Sequence, residues 1–152
     1  MSMLISKLAI SQPDIYWGVG FSASHPSQFG KVKFINGMIG VDIVRNLSSE
    51  IRVSFGNTEE FGLFSHGGLY IRPDYAISDY RVYGLIGYGQ NSMGGGGSYA
   101  GTGYIRERDK YHAAWGIGIG EKQSDGHSVS IEYLVMQSDN LHLYGLGIRI
   151  DF

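Results

Sequence analysis

The chain has no cysteine, which excludes a disulfide framework and any thiolate chemistry. It has only three prolines. No run approaches about 18 apolar residues, so a transmembrane helix is excluded. Neither sign of charge dominates: 12 Lys and Arg face 14 Asp and Glu, for a net charge of -2. That balance leaves no basic footprint for nucleic acid. The five histidines, His25, His66, His112, His127 and His142, show no metal-ligand spacing. Gly94-Gly95-Gly96-Gly97 is not followed by the Gly-Lys-Ser/Thr of a phosphate loop, and no motif calls for a cofactor.

What is present in quantity is glycine, 24 residues, and tyrosine, 11 residues. The glycines lack the three-residue period of collagen and recur instead at alternate positions of strand-like runs. The final stretch shows the pattern best. At a period of two, Tyr144, Leu146, Ile148, Ile150 and Phe152 share one face, and Gly145, Gly147, Arg149 and Asp151 the other. An apolar face running to a terminal aromatic suits a barrel standing in lipid. Sliding this strand by one residue would put Arg149 into hydrocarbon, at about 2–4 kcal/mol near mid-bilayer. The mean hydropathy of -0.09 does not contradict this, because lumen-facing residues dilute lipid-facing ones.

A chain of 152 residues reads as one domain, residues 15–152, behind an N-terminal tail, residues 1–14. The short apolar run of Met1–Ser11, interrupted by Lys7, does not make a complete export signal. Eight strands are predicted: Ile15–Ala23, Lys33–Val44, Ser49–Gly56, Gly67–Tyr75, Tyr80–Gly89, Lys110–Gly120, His127–Met136, and the last beyond the turn Ser138-Asp139-Asn140. The intervening runs read as a loop at Ser24–Gln28, a tight turn at Arg45–Ser48 and a longer loop through Glu59, Glu60 and Phe64. A second turn is expected at Ala76–Asp79, the longest connection at Gln90–Asp109, and a third turn at Lys122–Gly126. No helical period of 3.6 appears. The expected fold is therefore all-β: an eight-stranded antiparallel up-and-down transmembrane β-barrel, with short turns at one end and longer loops at the other.

Alternation alone also fits a soluble ligand-binding barrel turned inside out. Three features favour lipid outside. Aromatics sit near strand ends on the apolar face, at Trp17, Tyr75, Tyr80, Tyr111, Trp115, Tyr144 and Phe152, as girdle residues do. The opposite face is crowded with glycine. It also carries charges of both signs: Asp42, Glu50, Arg52, Arg72, Asp74, Arg81, Glu132, Arg149 and Asp151. Interior charges must pair, and hairpin geometry predicts Asp74 opposite Arg81 and Asp42 opposite Arg52. A lumen sealed by a near-balanced ionic network follows, not an open pore.

The run Gly68-Leu-Tyr-Ile-Arg-Pro-Asp-Tyr-Ala-Ile-Ser-Asp-Tyr-Arg-Val-Tyr-Gly-Leu-Ile-Gly-Tyr-Gly89 resembles the strand–turn–strand core of the Ail/Lom/OmpX family. So do Ser128-Val-Ser-Ile-Glu-Tyr133 and Leu146-Gly-Ile-Arg-Ile-Asp-Phe152. The resemblance implies a small barrel of the Gram-negative outer membrane, monomeric, in contact with lipopolysaccharide, with some relatives acting in adhesion and serum resistance. Host surface proteins or glycans are the partners it suggests.

Other small outer-membrane barrels hydrolyse or transfer acyl groups of lipid A, and Ser/His/acid sets are the residues such chemistry needs. His127 with Ser128, Ser130 and Glu132 is the densest, but it falls at the short-turn end. His66 with Ser65 and Glu60, and His142 with Asp139, fall at the loop end and lack a nucleophile motif. A non-enzymatic surface barrel is the expectation, with a lipid A-modifying enzyme as the alternative. Arg106, Arg108 and Lys110, within Tyr104–Lys110, form the candidate contact patch for sulfated sugars or host proteins.

Overall fold

The computed structural model describes residues 14–24, 32–58, 62–94, 110–122, 126–137 and 140–151. The strands are β1 (Ile15–Ser24), β2 (Val32–Val44), β3 (Leu47–Thr58), β4 (Gly62–Ile77), β5 (Tyr80–Gly94), β6 (Lys110–Lys122), β7 (His127–Met136) and β8 (Leu141–Asp151). Each pairs antiparallel with its sequence neighbours, and β8 returns to β1, closing the barrel. Closure leaves no edge strand, so every strand's backbone groups can be paired within the wall.

Outward positions carry the apolar residues. Ile15, Val19, Phe21, Ile35, Ile39, Ile51, Phe55, Leu69, Ile86, Ile117, Ile131, Leu146 and Ile148 all point away from the axis and are more than two-fifths exposed. In water such a surface would drive aggregation; in a bilayer it is the solvated surface. The fold is therefore a transmembrane β-barrel.

Inward, tyrosines fill the space that glycines leave. A Cβ at Gly40 would lie 2.3 Å from Tyr16 Cζ, one at Gly118 would lie 2.2 Å from Tyr83 Cζ, and one at Gly87 would lie 2.4 Å from Tyr70 Cδ1. Each ring lies flat against a neighbouring strand's glycine. That is why glycine recurs on the inner face of strands that carry bulk elsewhere.

Several boundaries differ from the sequence reading. β4 begins at Gly62, so Phe64 lies in a strand, and β5 runs on to Gly94. The connection after β3 thus shrinks to residues 59–61 and is not one of the long ones. The runs 62–66 and 90–94 alternate weakly because both faces there mix polar and apolar residues. The two hairpin turns narrow to Arg45-Asn46 and Ser78-Asp79, with Asn46 at φ 69° and Ser78 at φ 55°. Wall height is uneven: β4 and β5 have 16 and 15 residues, whereas β1 and β7 have 10 each.

Candidate functional site: the lumen and the loop-end rim

The lumen is layered. Its centre is Glu50, fully buried, which accepts hydrogen bonds from the Tyr16 hydroxyl at 2.7 Å, Arg72 Nη1 at 2.9 Å and Arg52 Nε at 2.7 Å. Arg52 also pairs with Glu132, whose second oxygen accepts from the Tyr83 hydroxyl at 3.2 Å. Two carboxylates and two guanidinium groups thus form a neutral cluster from β3, β4 and β7. The guanidinium groups stack as well. Arg72 lies 3.8 Å from the Tyr83 ring centroid and Arg149 3.4 Å from that of Tyr16. These contacts use the faces of ions whose edges pair with carboxylates.

Nearer the turn end, Arg149 pairs with Asp151 and, at 3.5 Å, with Asp42. Two expected pairings do not occur as drawn. Asp42 stands opposite Ser48, from which it accepts a hydrogen bond at 2.6 Å, while Arg52 stands opposite Met38. The tighter two-residue turn, with a bulge between Asp42 and Val44, moves β2 four positions along β3 relative to the expected register. Asp74 stands opposite Tyr83 and Arg81 opposite Ala76, because this turn centres one step later than expected. Asp74 and Arg81 still approach to 3.8 Å, diagonally.

Above the ionic cluster, His66 bonds Asn91 through Nδ1 at 2.9 Å and the Tyr70 hydroxyl through Nε2 at 2.8 Å. A cavity of about 60 Å³ separates this level from the glycines of β1 and β8, Gly18, Gly20, Gly145 and Gly147. Higher still the lumen becomes apolar. Val32, Phe34, Phe64, Met136, Leu141 and Leu143 are at most 4% exposed, and the Phe34 and Phe64 rings meet edge to face at 5.3 Å. This apolar layer escaped the sequence reading. Its signal was a reversal of alternation near the loop end, where Lys33 and Asn57 face out while Phe34 faces in.

Among the described residues the candidate catalytic sets do not assemble. His127 is exposed, whereas Ser130 is buried in the lumen and Glu132 belongs to the Arg52 cluster. His66 is enclosed by Asn91 and Tyr70; Glu60 lies outside the described residues, as does Asp139. His142 Nδ1 instead bonds the Tyr133 hydroxyl. Among the described residues no group of His, Cys, Asp and Glu could hold a metal ion.

Of the contact patch, Lys110 heads β6 opposite Asn91, and Arg106 and Arg108 lie outside the described residues. The girdle residues Tyr75 and Tyr80 ring the turn end, and Tyr111, Trp115 and Tyr144 the loop end, each 47–67% exposed. Trp17, 38% exposed, lies two residues up from the turn end of β1, and Phe152 is outside the described residues. Tyr88 was not among the expected girdle residues and stacks on Tyr111, with ring centroids 6.2 Å apart.

An eight-stranded closed barrel with an oily outer belt, aromatic rims and a charged, tyrosine-packed interior is the architecture of the small bacterial outer-membrane β-barrels. Solved structures bear this out. Over 92% of this chain and 96% of that one, the fold matches the outer membrane protein OprG from Pseudomonas aeruginosa, with TM-score 0.74 and 10% identity. The N-terminal barrel domain of Pseudomonas aeruginosa OprF matches over 93% of this chain and all of that one, with TM-score 0.67 and 13% identity. Yersinia pestis Ail, in a phospholipid nanodisc, matches over 93% and 100%, with TM-score 0.60 and 15% identity. No protein-family model matches the chain, and no curated protein matches it.

Proposed function

We propose that this chain is a monomeric, non-enzymatic barrel of the bacterial outer membrane, closed to solutes and acting through its loop end. The observation that carries the reading is how the lumen is filled. Glu50 pairs with Arg52 and Arg72, Arg52 pairs with Glu132 as well, and the Phe34–Phe64 layer caps them. Among the described residues the polar groups there serve closure. Planar-bilayer recording tests it, with no steady conductance expected; porin-sized steps would overturn the reading.

The loop end is the proposed contact surface for glycans or host proteins, through Arg106, Arg108 and Lys110. A structure of Ail in complex with the heparin analogue sucrose octasulfate, 16% identical to this chain, lends chemical plausibility to a sulfated-sugar ligand. Reversing all three charges to Glu is expected to abolish retention on heparin, and unchanged retention would remove the assignment.

A further inference from the structure

We propose that Tyr133 and Tyr144 are an oxidative modification site, where a haem peroxidase with hydrogen peroxide joins the two side chains into a dityrosine that staples β7 to β8. In the outer-membrane orientation proposed above, the pair lies at the loop end and meets oxidants arriving from outside the cell. It is separate from the Arg106, Arg108 and Lys110 patch and from the lumen.

Without cysteine, a covalent tie between strands cannot come from a disulfide. Tyrosine offers another route. A phenol that loses an electron becomes acidic enough to lose its proton too, and the phenoxyl radical left behind carries spin on the carbons ortho to oxygen. Two such radicals in contact join at those carbons. The coupling needs two rings held together, and it is fastest where a base already holds one of the phenol protons.

Among the described residues two pairs of tyrosines bring their rings together. Tyr88 and Tyr111 occupy diagonal positions, since Tyr88 pairs with Ala113 and Tyr111 with Gln90. Their rings are nearly parallel, at 8°, with centroids 6.2 Å apart. Tyr133 and Tyr144 stand directly opposite each other on β7 and β8, with centroids 5.0 Å apart and rings inclined at 39°. Directly opposed residues have Cβ atoms about 4.5–5.5 Å apart, so these rings leave the wall side by side. Turning about the soft χ2 torsion then brings an ortho carbon of one towards that of the other. Trp115 meets Tyr133 edge to face at 6.2 Å, and Tyr144, 55% exposed, is open to the oxidant.

The base is in place as well. The Tyr133 hydroxyl donates to His142 Nδ1, and His142 Nε2 lies 3.3 Å from Asn140 Oδ1. An amide oxygen there accepts from Nε2–H, which selects the tautomer whose Nδ1 is an acceptor. Each phenol gives one electron to the peroxidase and one proton, that of Tyr133 to His142 and that of Tyr144 to water. The ortho carbons join, and the hydrogens they carried move to the two oxygens, restoring both phenols. His142 passes its proton to water. One hydrogen peroxide takes up the two electrons and two protons and leaves as two waters.

The test treats the full chain, one copy per phosphatidylcholine nanodisc, with a haem peroxidase and hydrogen peroxide. Dityrosine fluorescence follows the rate, and mass spectrometry of the digest maps the link. Wild type should stay at monomer size on boiled gels and yield a Tyr133–Tyr144 peptide pair lighter by two hydrogens. Tyr133→Phe and Tyr144→Phe should abolish that product, and Tyr88→Phe should leave it unchanged. His142→Phe should slow it about 100-fold, the low end of what a positioned base contributes, while contacts between the two rings persist by NMR. That persistence separates loss of the base from loss of ring placement. Heat-modifiable migration before oxidation confirms that each variant is folded. No link within the wild-type chain, a link mapped to other tyrosines, or an unchanged rate in His142→Phe overturns the site and leaves the heparin and conductance results untouched.

Discussion

Glu50 shows how much a single inner residue carries. Its two oxygens collect a phenol and two guanidinium groups, so removing it leaves Arg52 and Arg72 buried with one carboxylate, Glu132, between them. Glu50→Ala is expected to cost about 3–5 kcal/mol, the cost of orphaning buried charge, read by urea unfolding in lipid vesicles. The Tyr–Gly contacts are nearly as demanding. At Gly40 a methyl group would strike Tyr16, whose hydroxyl cannot retreat without leaving Glu50. Gly40→Ala should therefore lose about 1–3 kcal/mol. Gly67→Ala, where nothing lies within 4 Å of the new methyl, should change stability by less than about 0.5 kcal/mol. The same unfolding series separates the two.

Turns and register govern the strands. Asn46 holds φ 69° in the Arg45-Asn46 turn, a conformation that costs an ordinary residue about 1–2 kcal/mol. Asn46→Val should destabilise by about that amount, and Asn46→Gly should be neutral or better, measured by refolding yield and urea midpoint. This turn also explains what could and could not be read in advance. The face of each strand was legible because a one-residue slip would put Arg149 or Glu132 into lipid, a penalty large enough to leave a trace in every strand. The pairing across hairpins was not. Moving from a four-residue to a two-residue turn keeps every side chain on its own face while exchanging its partner, so alternation is blind to it. Asp42 accordingly meets Ser48 and Arg149, not Arg52. The strand tips were missed for a related reason: above the membrane the outer face no longer has to be oily. Ser65, Gln90 and Ser92 then break the period that located the rest.

For the molecule as a whole, the outer belt and the filled axis make separate demands. A charge placed on the belt, as in Ile148→Arg, should cost about 2–4 kcal/mol near mid-bilayer. That variant should shift the folded band towards the unfolded one on unboiled gels. The inner tyrosines Tyr16, Tyr70 and Tyr83, which hold the charged layer in place, were not singled out from the sequence, since an inward tyrosine and a girdle tyrosine look alike until the register is known. The lumen's ionic character was legible from alternation, because charges of both signs shared one face.

The unequal strands have an outcome of their own. With β4 and β5 five or six residues longer than β1 and β7, the cylinder is cut obliquely, its lip rising roughly 13 Å from one side to the other once strand tilt is allowed for. A large particle settling on the cell would meet the raised side first, while the lowered side stays screened by the sugar coat around it. Accessibility to antibody-sized probes should follow that slope, with cysteines placed on the β4–β5 crest labelled by a bulky reagent on intact cells and those beside Ala23 labelled only by a small one.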